Sequence, residues 1–145
     1  RLWFWPAAAP VFERIIDFPG NMSKFAIYRD ERTGLYVSLV NRVSLPWVGQ
    51  RNILSLSVSR DAMHWDLVKD LLNYQDIGWP EGYKLVGFQY VDFVIEQEDL
   101  LYLSRTALNG ANNFHDANYI TFHRIERFRD LLEAPRPAAA RRADT

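Results

Sequence analysis

Short stretches in which apolar and polar side chains alternate recur along the chain and predict β-strands. The clearest of them is Asn52 to Ser59, where apolar residues alternate with serine. Similar patterns predict strands at 24–29, 35–40 and 65–71, with a glycine-containing turn between the first two. Four antiparallel strands in sequence are typical of one blade of a β-propeller.

A shift of 66 residues lays this group of strands over the C-terminal half of the chain without a gap. Residue 35 then falls on residue 101, which aligns Leu-Tyr-Val-Ser with Leu-Tyr-Leu-Ser, and Asn52 falls on Asn118. Identities are few, so the match is one of pattern and spacing. Regular self-similarity of this kind is the signature of a repeat architecture.

The second copy predicts strands at 87–96, 100–106 and 118–125, whereas 126–132 fits a fourth strand or a helical turn equally well. We therefore predict an all-β protein, a β-propeller of four-stranded antiparallel blades with about two blades in this chain and five or six when complete. The strands are apolar on both faces, and blades stacked face to face bury both. A two-layer β-sandwich is the alternative fold.

The predicted organisation divides the chain into four parts. Residues 1–20 are assigned to a connection or outer strand of a preceding blade, 21–76 to the penultimate blade, 77–132 to the last blade and 133–145 to a disordered tail. The chain begins with Arg1 and has no signal-peptide pattern at its start. We expect it to be the C-terminal part of a longer protein, with the remaining blades as its partner.

Composition narrows the functional classes. The net charge of −1 and pI near 6.3 give no electrostatic footprint for nucleic acid or an anionic membrane. No apolar run is long enough for a transmembrane helix, and the absence of cysteine excludes disulfides and thiolate chemistry. Phosphate-binding glycine loops and HExxH or CxxC patterns are absent, so we expect no cofactor and no metal. The cellular compartment stays open.

The stretch from Ser59 to Trp65 contains the pattern Ser-x-Asp-x-x-x-Trp at a predicted turn between two strands. Asp61 can accept backbone N–H bonds within such a turn while Trp65 packs between sheets. We interpret this motif as structural, and His64 as a surface residue of the turn.

Polar residues open the first strand of the second copy. Gln89, Tyr90 and Asp92 lie where an innermost strand would begin to line a central channel. Asp92 is a candidate acid, base or ligand for hydroxyl groups. The alternative is a structural carboxylate that pairs with Arg105 across the hairpin.

Arg105 occupies the position of Leu39 in the first copy, so a charge stands where the fold accepts an apolar residue. A buried arginine requires partners, and bidentate pairing with a carboxylate is its strongest interaction. Asp92, Asp116 or a substrate could supply that partner. Arg51 is the same kind of candidate, just before the third strand of the first copy.

A polar loop from Asn112 to Asn118 joins two predicted strands on the rim expected to carry Arg51. His115 and Asp116 in this loop can transfer a proton near neutral pH or bind sugar hydroxyls. Loop capping is the competing interpretation of the same pair.

With these motifs, the chain resembles bacterial sialidase- or neuraminidase-like glycosidases. The Ser-x-Asp…Trp turn occupies the position of the Asp-box of such propellers, without its glycine and one residue shorter. The stretches that carry the resemblance are Pro19–Phe25, Gly87–Asp92, Leu103–Ala107 and His115–Arg124.

The resemblance implies a five- or six-bladed ring and a glycoside hydrolase that acts on a carbohydrate bound on its axis. Sialidases use three arginines, a Tyr–Glu nucleophile pair and an Asp acid, and no motif here fixes residues to those roles. We expect the catalytic residues Asp92, Arg105, His115 and Asp116, and the substrate-binding residues Arg51, Gln89 and Tyr90. The alternative function is a non-catalytic propeller that binds a carbohydrate or a protein.

Overall fold

The structure, a computed structural model, describes residues 11–46, 49–77 and 82–133. Its strands form two antiparallel sheets in which chain order and spatial order coincide. The first sheet contains β1 (Ile27–Arg29), β2 (Tyr36–Val40), β3 (Ile53–Ser59) and β4 (Trp65–Asn73), and the second contains β5 (Gly87–Glu96), β6 (Asp99–Ala107) and β7 (Tyr119–Ile125). The helical segments are a 3₁₀ turn at Tyr74–Ile77, α1 (Gly82–Leu85) and α2 (Asp130–Glu133).

The all-β class predicted from the sequence is confirmed. Of the two alternatives left open for 126–132, the structure shows the helical one, because a turn and then α2 follow β7. No strand forms in the described part of the N-terminal segment, residues 11–20, which runs as irregular chain. Residues 1–10 of that segment and residues 134–145 of the predicted tail lie outside the described residues.

The core lies between the two sheets. β3 is buried along its whole length, and the alternation on β5 and β6 turns one face of each strand inward. Burial of these apolar side chains is the main stabilising contribution to such a fold. Among the core residues are Val37, Leu39, Leu54, Leu56 and Val58 of the first sheet and Val91, Phe93, Leu100 and Tyr102 of the second. No helix in the described ranges is long and apolar enough to cross a membrane.

Strand pairing in the second sheet departs from the 66-residue shift. Arg29 pairs with Tyr36, so the shift places Ile95 opposite Tyr102, but Ile95 pairs with Leu100. The physical reason is the length of the turn: two residues join β5 to β6, whereas 30–35 join β1 to β2. Because the displacement is an even number of residues, the side chains keep the sheet face that the shift predicts.

Backbone and amide hydrogen bonds join the two sheets where β3 and β5 begin. The Phe88 N–H donates to the Arg51 carbonyl oxygen at 2.7 Å. The Asn41 side-chain amide donates to the Phe88 carbonyl at 2.6 Å and to the Ile53 carbonyl at 3.1 Å. This junction fixes Arg51 beside the first residues of β5.

A second junction connects the β1–β2 turn to the segment after β7. Arg129 donates to both carboxylate oxygens of Asp30, at 2.9 and 2.5 Å, and to the carbonyl of Gln97 at 2.7 Å. Asp30 is 2% exposed. Two hairpin ends and the start of α2 are thus held by one guanidinium group.

Lowering the pH should reduce the free energy of unfolding, because the Asp30 carboxylate of this junction becomes protonated. The Arg129 bonds lower the pKa of Asp30 from 3.8 to about 2. A carboxylate whose pKa is lower in the folded state stabilises the fold at pH values above its unfolded-state pKa. This contribution is lost as the pH falls through its folded-state pKa. We expect the free energy of unfolding to fall by about 2 kcal/mol between pH 4 and pH 2 from this group. Urea titrations across that range will measure it, and Asp30→Asn should remove this component; an unchanged pH slope in the variant would contradict the assignment.

The turn between β3 and β4 forms the hydrogen bonds predicted for Asp61, whereas Trp65 packs on the segment before β1 and not between the sheets. The Asp61 carboxylate accepts the backbone N–H groups of Met63 and His64, each at 2.8 Å. These bonds and the His64 side chain lower the pKa of Asp61. The Trp65 ring packs edge-on against Phe18 at 5.2 Å. In the structure the motif shapes a turn.

Candidate functional site

A β-bulge interrupts the pairing of β5 with β6 at Tyr90. Gln89 pairs with Arg105 and Asp92 pairs with Leu103, so two residues of β5 stand opposite one residue of β6. Tyr90 has a φ of +53°, in the left-handed region that non-glycine residues seldom adopt. Such backbone strain concentrates at functional sites.

Three cationic side chains surround the Tyr90 ring. The Arg105 guanidinium carbon lies 5.1 Å from the ring centroid, the Lys24 ammonium 5.2 Å and the Arg51 guanidinium carbon 5.3 Å. We call these three side chains the cation cluster. Each is within the range of a cation–π interaction. Within the described residues none of the three forms an ion pair with a carboxylate, so the cluster presents uncompensated positive charge.

Arg51 is held in place by a buried glutamine. Its Nη1 donates to Gln89 Oε1 at 2.5 Å and to Tyr90 Oη at 3.2 Å, while its Nε is buried without a hydrogen-bond partner. Gln89 is fully buried, and its Nε2 donates to the carbonyls of Phe114 and His115 at 3.0 and 2.7 Å. One amide therefore joins Arg51 to the polar loop.

Neutral amides also hold the segments on either side of Arg51. The buried Gln50 donates to Asn52 Oδ1 at 2.8 Å and accepts the Ser44 N–H at 2.8 Å. The Asn21 side chain donates to the Gln50 carbonyl, which ties the segment that carries Lys24 to the same place. The cluster is thus supported by hydrogen bonds between uncharged groups.

His115 and Asp116 extend from Tyr90 into the polar loop. Tyr90 Oη lies 3.3 Å from His115 Nε2, and His115 Nδ1 lies 3.4 Å from Asp116 Oδ1. The Asn113 side chain caps the loop: its Oδ1 accepts the backbone N–H groups of His115 and Asp116 at 2.8 and 2.9 Å. The chain of contacts from Arg51 through Tyr90 to His115 and Asp116 can move a proton at Tyr90 Oη.

Glycine at position 87 allows the polar loop to approach β5. A Cβ atom added to Gly87 would lie 2.2 Å from the Phe114 carbonyl oxygen, closer than real Cβ contacts allow. The neighbouring Phe114 N–H donates to the Lys84 carbonyl at 2.8 Å, so that backbone is tethered. The loop that carries His115 depends on this close approach.

Asp92 has other partners than the cation cluster. Its Oδ1 accepts Tyr28 Oη at 2.9 Å and the Phe93 N–H at 2.9 Å, and the hydrogen bond from Tyr28, with the nearby charge, raises the pKa of that phenol. Tyr28 lies on β1, so this contact joins the first strands of the two sheets. The ion pair considered for Arg105, with Asp92 or Asp116, does not form in the described part of the chain.

The structure brings six of the seven predicted site residues together and places Asp92 beside Tyr28. The predicted set lacks Lys24 and Tyr28. Lys24 could have been found from the repeat, because the 66-residue shift places it on Tyr90, which is itself one of the predicted site residues. The six residues brought together are Arg51, Gln89, Tyr90, Arg105, His115 and Asp116.

Across residues 11–46, 49–77 and 82–133 there is no group of three or more His, Asp or Glu side chains that could hold a metal ion. No family model matches the chain, and no curated protein or solved structure matches it.

Proposed function

We propose that this chain forms the sugar-binding part of a sialidase-like glycoside hydrolase of the β-propeller type, and that its ligand is a carbohydrate with a carboxylate group. The single observation that carries the proposal is the cation cluster around Tyr90. Three unpaired positive charges at one ring attract an anion. Guanidinium groups bind carboxylates with paired, charge-assisted hydrogen bonds, which suits Arg51 and Arg105.

The convergence of distant segments supports a ligand site. The cluster draws Lys24, Arg51, Tyr90 and Arg105 from four parts of the chain, and three of these residues lie in stretches that resemble sialidase-like glycosidases. A purely structural role for three adjacent cations would be costly, since like charges repel each other. A bound anion offsets this repulsion.

The His115–Asp116 pair supports a catalytic role. Glycoside hydrolysis requires a group that donates a proton to the departing oxygen. His115, in contact with Tyr90 Oη and beside Asp116, can supply and recover such a proton. Asp92, two residues after Tyr90 on β5, adds a carboxylate that accepts a hydrogen bond from Tyr28.

One observation favours the second candidate, a non-catalytic carbohydrate-binding module. Glycosidases of the common kind use two carboxylates that flank the scissile bond. Here the described contacts of Asp92 go to Tyr28 and Phe93, and only Asp116 is linked, through His115, to Tyr90. Both candidates bind the same ligand, but only the glycosidase hydrolyses it.

The carboxylate proposal predicts selective binding of acidic sugars. We expect the chain to bind glucuronic acid or N-acetylneuraminic acid and to bind glucose at least 10-fold more weakly, by calorimetry or ligand-observed NMR. Arg105→Met should weaken binding of the acidic sugar by about 10- to 100-fold, because hydrogen bonds to charged groups contribute about 1.5–3 kcal/mol. Binding of the acidic sugar should weaken as salt is added.

Arg60→Met is the matched control, since Arg60 is exposed in the β3–β4 turn and outside the cluster. It should leave affinity unchanged. Equal affinity for glucose and glucuronic acid, or an Arg105→Met variant that binds as tightly as the parent, would contradict the proposal. Turnover of aryl sialosides and glucuronides, and its loss in Asp116→Asn with binding retained, would separate the enzyme from the binding module.

A further inference from the structure

His115 contacts the aromatic ring that the cation cluster surrounds. Its Nε2 lies 3.3 Å from Tyr90 Oη, and the two rings meet edge to face with centroids 6.2 Å apart. Its backbone is fixed independently, because Gln89 donates to the His115 carbonyl and Asn113 accepts the His115 N–H. An imidazole group gains or loses a proton near neutral pH. A charge that changes with pH therefore lies beside the cluster.

The partners of the His115 ring determine which nitrogen carries the hydrogen in the neutral form. Nδ1 lies 3.4 Å from Asp116 Oδ1, and a carboxylate only accepts hydrogen bonds. The hydrogen is therefore on Nδ1, and Nε2 is an acceptor. Arg51 Nη1 donates to Tyr90 Oη at 3.2 Å, so the single hydroxyl hydrogen of Tyr90 can point at His115. In the neutral form the Tyr90 hydroxyl donates to the histidine.

Protonation of Nε2 reverses this last hydrogen bond. An imidazolium group donates through both nitrogens, so Tyr90 Oη then accepts from His115 as well as from Arg51. The hydroxyl hydrogen of Tyr90 is released and can be donated to a bound ligand. Protonation also brings a fourth positive charge next to the cluster.

The charged groups that face His115 differ in sign. Asp116, on its own loop, favours the protonated form, whereas the cations across the Tyr90 ring disfavour it. A bound anion offsets the repulsion from those cations and so makes protonation more favourable. The cations are Lys24, Arg51 and Arg105 around Tyr90, together with Lys84 of α1, whose carbonyl accepts the Phe114 N–H.

We infer that binding of an anion at the cation cluster is coupled to protonation of His115, so that the site holds its ligand more tightly as the pH falls from 8 to 6. The inference rests on the proposed function for the carbohydrate nature of the ligand, but it requires only that the ligand is an anion. By thermodynamic linkage, the anion strengthens the binding of the proton by the same factor. His115 and Asp116 are at least half exposed, so solvent weakens the coupling. We expect binding to be about 5- to 10-fold tighter at pH 6 than at pH 8.

Calorimetric titration with glucuronic acid at pH 6, 7 and 8 tests the coupling. The carboxylate of this sugar stays ionised across the range, so the pH dependence reports on the protein. His115→Gln should bind with the same affinity at pH 6 and pH 8, because a neutral amide takes up no proton, and far-UV circular dichroism will confirm its fold. His64→Gln is the matched control and should keep the pH dependence of the parent chain. His64 also contacts an aspartate through Nδ1, Asp61 at 2.7 Å, but it lies in the β3–β4 turn outside the cluster. Equal affinity of the parent chain at pH 6 and pH 8, or an unchanged pH dependence in His115→Gln, would overturn the inference.

Sulfate separates this inference from the proposed function, because it is an anion throughout this pH range and is not a carbohydrate. In an NMR titration, the ring signals of His115 should change at a higher pH with sulfate than with sodium chloride of equal ionic strength. The signals of His64 should change at the same pH in both salts. This result without binding of glucuronic acid would support the coupling and contradict the proposed carbohydrate ligand. A His115 titration that neither sulfate nor glucuronic acid alters would overturn the coupling.

Discussion

Replacing Arg129 with alanine should lower the free energy of unfolding by about 3 kcal/mol, a large share of the stability of a domain of this size. The substitution leaves the Asp30 carboxylate buried without its guanidinium partner. It also removes the bond to the Gln97 carbonyl, so two hairpin ends lose their common anchor. Urea denaturation at neutral pH, followed by circular dichroism, measures the shift of the midpoint.

Arg127→Ala is the control, because Arg127 pairs with Asp130 in an exposed position only two residues away. Exposed ion pairs contribute little, so this variant should lose no more than about 0.5 kcal/mol. Adding Asp30→Asn to Arg129→Ala should recover part of the loss, since the stranded charge is then removed. Equal effects of Arg127→Ala and Arg129→Ala would show that the buried junction does not stabilise the fold.

Replacing Gly87 with alanine should abolish the proposed binding of acidic sugars and destabilise the chain by about 1–3 kcal/mol, the usual range for overpacking a filled site. The new methyl group would collide with the Phe114 carbonyl, a backbone atom that cannot rotate away. Displacing the loop breaks the Gln89 bonds to the Phe114 and His115 carbonyls, and Gln89 is also the partner of Arg51. Calorimetric titration and thermal unfolding would report both effects.

Gly110→Ala, in the connection between β6 and β7 just before the polar loop, is the matched control. A Cβ at position 110 meets no atom within 4 Å, and only the positive φ of 88° opposes it. We expect a loss of about 1 kcal/mol with sugar binding retained. Binding that survives Gly87→Ala would mean that the approach of the loop to β5 does not position the cluster.

The strands could be predicted from the sequence because each carries its own pattern. The predicted limits of β5 agree with the structure, and the alternation of apolar residues with serine located β3 to within one residue. The two-residue displacement in pairing could not be predicted, because it arises from the length of the turn at Gln97. The segment after β7, residues 126–132, mixes charged and apolar residues and gave no decision between a strand and a helical turn.

The residues of the candidate site could be singled out from the sequence, but their geometry could not. Arg105 was found because a charge replaces an apolar residue of the repeat, and this signal is local. The partnership of Asp92 with Tyr28 depends on how two sheets approach each other, which no local pattern contains. The left-handed conformation of Tyr90 lay beyond prediction for the same reason, since nothing in its neighbours specifies a bulge.

The amide hydrogen bonds around Arg51 separate the geometry of the site from the ionic strength of the solution. Gln50, Gln89 and Asn21 hold their neighbours through dipoles, and salt screens interactions between net charges far more than bonds between neutral groups. Added electrolyte should therefore leave the amide-bonded segments around Arg51 in place, while it screens both the mutual repulsion of the three cations and their attraction for an anionic ligand. The salt dependence of affinity then measures the balance of these Coulombic interactions, without a contribution from rearrangement of those segments.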